Sequence, residues 1–90
     1  MKVVVLYRPN SEQGRPVEEF TREFARRYPD VKLEITDIDS REGGALAALY
    51  DIMQYPAIMV LRDEGGVQNI WQGEPLPLMD EVVGYVHAAA

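Results

Sequence analysis

The apolar positions of this chain change period as it runs, and the changes predict seven elements. Residues 2–7 (KVVVLY) form a valine-rich run with no polar alternation, which predicts a strand covered on both faces. Arg8-Pro9-Asn10-Ser11-Glu12-Gln13-Gly14 interrupts it with loop-forming residues. Over 16–28, Val17, Phe20, Phe24 and Tyr28 recur at helical spacing and give one apolar face. Pro16 suits the first helical position, Glu18 and Glu19 the positive end of the dipole, Arg26 and Arg27 the negative end. Pro29-Asp30 ends this helix.

From 31 to 37 (VKLEITD) apolar and polar residues alternate, as in a strand with one face less buried at a sheet edge. Ser40 is placed to cap a helix over 41–53, with Leu46, Leu49, Tyr50 and Met53 on one face. Gly43-Gly44 weakens its first turn. After Tyr55-Pro56, Ala57–Leu61 (AIMVL) reads as another buried strand. Glu64-Gly65-Gly66 turns it into a strand over 67–72. Glu74-Pro75-Leu76-Pro77 breaks the chain before a last helix over 78–88, whose Met79, Val82, Val83 and Val86 face inward. The three terminal alanines are expected to fray. The order β-α-β-α-β-β-α predicts an α/β fold, a four-stranded mixed sheet with helices on both faces.

Composition narrows the chemistry. Ninety residues, 47% of them hydrophobic, suit a single domain over 1–90. No apolar run approaches the roughly 20 residues of a membrane span, and MKVVVLYRPN turns polar too soon for a signal peptide, so a cytoplasmic protein is expected. A net charge of −6 argues against nucleic-acid binding, which needs a basic stripe. The chain holds no cysteine and one histidine, His87. Thiol redox chemistry, disulfides, thiolate metal sites, Ser-His-Asp triads and two-histidine zinc sites are therefore set aside. Asp37, Asp39 and Glu42, with Asp63 and Glu64, lack the spacing of a calcium loop, so no metal site is expected. His87 reads as a partner for the last helix's negative end.

Three stretches, taken in order, carry a resemblance to a known family. Val3–Gly14 (VVVLYRPNSEQG) is similar to the strand-loop-helix entry of glutaredoxins, where Tyr-x-x-Pro precedes a Cys-x-x-Cys pair. Ile38-Asp39, then Leu49-Tyr50-Asp51-Ile52 and Tyr55-Pro56-Ala57, looks like the thioredoxin segment leading into a cis-proline. Gly65-Gly66 at the hairpin and Gly73 after the last strand complete the match. The chain thus resembles the thioredoxin-like superfamily, in a short glutaredoxin-like form that lacks the Cys-x-x-Cys site. The resemblance implies a cis Pro56 beside a ligand groove. It places Ser11 and Gly14 at the two cysteine positions, and Val5 where thioredoxins carry a buried proton-relay acid. Disulfide oxidoreductase activity is then impossible for this chain, and no catalytic residue is assigned.

What the resemblance leaves is a groove formed by Arg8, Ser11, Glu12, Gln13, Gly14, Arg15, Tyr55, Pro56 and Ala57. The leading expectation is a redox-inactive module that docks a protein or peptide segment there without a cofactor. The alternative is a glutathione-binding or glutathione transferase-like protein with Ser11 as the thiol's partner, against which stands a plain capping role for Ser11. Arg8 and Arg15 either hold an anion at the helix entry or are solvated, with Glu12 weakening the first option. Trp71 is either a partner anchor or packs under the last helix; Ile70 and Trp71 must point to opposite faces. The protein is expected to be a monomer or a weak homodimer, the latter through the edge strand 31–37, whose interior charges are Lys32 and Glu34.

Overall fold

The computed structural model describes residues 1–87. The terminal alanines, expected to fray, lie outside the described residues. Strand β1 (Lys2–Tyr7) is central because both its faces are apolar: Val3, Val4, Val5 and Leu6 are completely buried. It pairs in parallel with β2 (Lys32–Asp37) and antiparallel with β3 (Ala57–Leu61), which pairs antiparallel with β4 (Val67–Gln72). The order is β2-β1-β3-β4, so the alternating strand does take an edge. Arg62 and Gly66 close the hairpin between β3 and β4 through a backbone bond of 2.7 Å.

The alternation of β1 and β3 splits the core into two layers. Val3, Val5, Tyr7, Ile58 and Val60 face α1 (Gly14–Arg27) and α3 (Met79–His87), meeting Val17, Phe20, Phe24, Val82 and Val83. Val4, Leu6, Ala57, Met59 and Leu61 face the other way, toward Ile52 and toward Leu46 of α2 (Arg41–Leu49). Ile70 and Trp71 divide as the period of two requires. Ile70 packs on the α2 side, and Trp71 on the other side meets Tyr85 of α3 edge to face at 5.4 Å. Both are partly covered, so Trp71 packs under the last helix.

Two helix boundaries differ from expectation by more than one residue. Helix α1 begins at Gly14, not 16, and Val17 N–H donates to the Gln13 carbonyl at 3.1 Å. Pro16 is its third residue, where the N–H it lacks is one of the unpaired donors of a first turn. Glu18 and Glu19 consequently fall beyond that turn, which holds no acid, while Arg26 and Arg27 occupy the last turn as expected. Helix α2 ends at Leu49 and does not reach 53. Asp51 adopts a left-handed φ of 56°, after which Ile52 is buried while Leu49 and Met53 are 71% and 76% exposed. The helical spacing of Leu46, Leu49, Tyr50 and Met53 is broken by that turn, and Ile52 takes the core position instead. Ser40 does cap α2, accepting from Gly43 N–H at 2.9 Å. No helix among the described residues is long and apolar enough to cross a membrane.

Candidate functional site

The entry to α1, the loop before β3 and the segment after β4 meet at one end of the sheet. Tyr7, the last residue of β1, is buried, and its hydroxyl donates to Glu18 Oε2 at 3.1 Å. Burial, then the bond and charge of Glu18, raise the pKa of that hydroxyl above its ordinary value. Arg8 follows on the surface. Its guanidinium forks onto Asp39, with Nε 3.0 Å from Oδ2 and Nη2 3.2 Å from Oδ1. The hydrogen bond and charge of Asp39 raise its pKa. Arg8 is therefore directed to the β2–α2 connection, and it does not join Arg15 in facing an anion at the helix entry.

The tetrapeptide at the family's redox position is a network of local bonds. Ser11 Oγ donates to the Arg8 carbonyl at 2.6 Å and accepts from Gln13 N–H at 3.2 Å. Both hydroxyl functions thus serve the Arg8–Gln13 turn. Gly14 packs against Pro9 so closely that a Cβ there would overlap the Pro9 carbonyl oxygen. Val5, at the relay position, is completely buried in apolar surroundings. This entry neither contains sulfur nor has room for a side chain at position 14.

Gln13 links this entry to the second segment. Its Nε2 donates to the Tyr55 carbonyl at 2.8 Å, while its Oε1 is buried with no hydrogen-bond partner. The opposite amide orientation would set two oxygens against each other, so the donor must face Tyr55. The Tyr55–Pro56 peptide bond is cis and Pro56 is buried. Gly73, left-handed at φ 80°, donates its N–H to the Pro56 carbonyl at 2.9 Å and holds the third segment beside the loop. The Gln72 side chain adds a second tie, accepting from Met53 and Gln54 N–H at 2.9 and 3.2 Å.

Between these segments lies an open, mostly apolar cavity of about 200 Å³. Gln13, Pro16 and Val17 line it from the start of α1 and the residue before it, Pro56 from the loop, and Glu74, Pro75 and Leu76 from the segment after β4. Of the nine expected groove residues, Gln13 and Pro56 are in this wall. Arg8, Ser11, Glu12 and Arg15 are exposed away from it, Tyr55 contributes the carbonyl that anchors Gln13, and Gly14 and Ala57 are buried behind it. Sequence reasoning missed Pro16, Val17, Glu74, Pro75 and Leu76. Pro16 and Val17 read as helix start and core, and the Glu74–Pro77 break as a connection. Only the position of Gly73 just after β4 hinted that this segment returns to the site. No group of three or more His, Asp or Glu side chains suited to a metal occurs among the described residues.

No protein-family model matches the chain, and no curated protein sequence matches it. Solved structures do. Thioredoxin 1 from the thermophilic eubacterium Thermosipho africanus superposes with a TM-score of 0.69 at 15% identity, over 99% of this chain and 93% of that one. Thioredoxin O2 from Arabidopsis thaliana, in its oxidised state, superposes with a TM-score of 0.70 at 16% identity, over 97% of this chain and 72% of that one. With its sheet order, its helices on both faces and these two superpositions, the chain has the thioredoxin fold and carries it without a cysteine.

Proposed function

We propose that this protein is a redox-inactive thioredoxin-fold module that binds an extended peptide segment beside Pro56. The observation that carries the reading is the apolar cavity between Gln13, Pro56 and Leu76, in a chain with no sulfur for exchange chemistry. A cavity of about 200 Å³ suits one apolar side chain, and burying such a side chain contributes about 1.5–3 kcal/mol. Ser11 speaks for binding rather than thiol chemistry. Its proton is held by the Arg8 carbonyl and its lone pair by Gln13 N–H, which leaves a glutathione thiolate no ready donor.

Nitrogen-15 amide shifts test the reading. Acetylated, amidated pentapeptides with a central leucine should shift Gln13, Val17, Ala57 and Leu76 saturably. Leu76→Ser should weaken that binding about fivefold, in line with the loss of a partly buried apolar contact. Saturable shifts around Ser11 with reduced glutathione at millimolar concentration, abolished in Ser11→Ala, would instead establish the glutathione alternative.

A further inference from the structure

Glu74 is the one acidic residue in the cavity lining, which is otherwise Gln13 and apolar side chains. Gln13 Oε1 is buried without a donor, although its amide is held in place by the Tyr55 carbonyl. Glu74 is exposed, is the cavity's one ionised lining residue, and makes no ion pair among the described residues. Arg8 and Arg62 are committed elsewhere, to Asp39 and Glu64. Arg15 precedes Pro16 but does not line the cavity. The unmet requirements of the site are thus a cation for Glu74 and apolar bulk beside it, on a chain of net charge −6.

Resting on the peptide-binding reading above, we infer that the preferred segment presents an apolar side chain next to a lysine or arginine. The apolar side chain fills the space between Pro16, Val17, Pro56 and Leu76. The neighbouring cation pairs with Glu74. The Glu74 pair lies at the exposed rim, where ion pairs are weak, and so sets preference more than affinity.

The test compares two acetylated, amidated peptides, Gly-Gly-Leu-Lys-Gly and Gly-Gly-Leu-Glu-Gly, by amide shifts at physiological salt. The lysine peptide should bind about threefold more tightly, as an exposed pair allows. Glu74→Gln should erase that preference. Glu12→Gln, an exposed acid outside the cavity wall, should preserve it and so separate local pairing from the overall negative charge. The side-chain amide of Gln13 should shift on binding in the parent protein. Equal binding of the two peptides, or a preference that survives Glu74→Gln, would overturn the inference while leaving the peptide-binding reading standing. Failure of either peptide to shift the cavity amides at millimolar concentration would overturn both.

Discussion

Position 14 shows how a backbone contact excludes a chemistry that composition had already removed. The first turn of α1 lies against Pro9, so any Cβ at residue 14 overlaps the Pro9 carbonyl oxygen. Ser11, three residues earlier, is exposed and carries its side chain without conflict. Reintroducing cysteines should therefore have unequal effects. Ser11→Cys should lower stability by about 1 kcal/mol through the loss of its two hydrogen bonds. Gly14→Cys should lower it by about 2 kcal/mol more through overpacking against backbone, measured as the change in urea midpoint at constant slope. The absence of sulfur at these positions was legible in the sequence. That position 14 has no room for a side chain was not, because the obstructing atom belongs to a loop residue whose approach depends on how β1 enters α1.

At the scale of elements, α2 places two adjacent glycines in opposite situations. Gly43 is buried, and a Cβ there would overlap the Asp37 carbonyl oxygen and crowd the Ile38 α-carbon. Gly44 has open space around it. The sequence reading treated both as weaknesses of the first turn; one is a packing requirement. Gly43→Ala should destabilise by about 1–3 kcal/mol, whereas Gly44→Ala should stabilise by about 0.5–1 kcal/mol through helix propensity alone. Ser40→Ala should remove the cap and cost about 1 kcal/mol. Thermal melts of the three variants check all of these. The early end of α2 belongs here too. Periodicity continued through Met53, but the left-handed Asp51 turns the chain so that Ile52 enters the core and Leu49 and Met53 stay in solvent.

At the scale of the whole molecule, the buried end of β1 couples folding to alkaline pH. The Tyr7 hydroxyl titrates above its ordinary value of 10.0 because it is buried and bound to Glu18. The folded state thus holds this proton more tightly than the unfolded chain does. The stabilisation is complete below the unfolded value and is lost as pH rises through the folded one. Tyr28, bonded to Asp80, shifts in the same direction. Urea midpoints of the parent protein should fall as the pH rises above about 10. Tyr7→Phe should flatten that decline, with Tyr28 contributing in the same direction.

The sequence by itself determined the order of seven elements, the central and edge strands, the apolar faces of α1 and α3, the Ser40 cap and the loss of thiol chemistry. Each follows from local periodicity or from residue identity, which neighbours in space do not alter. Tertiary structure alone decided the cavity. Its walls come from residues up to 63 apart in number, Gln13 to Leu76, joined because Gly73 N–H reaches the Pro56 carbonyl and Gln13 Nε2 the Tyr55 carbonyl. No local pattern encodes such long-range bonds. Pro16, Val17 and Leu76 read as core or connection because their apolar chemistry is the same whether it faces a helix or a ligand.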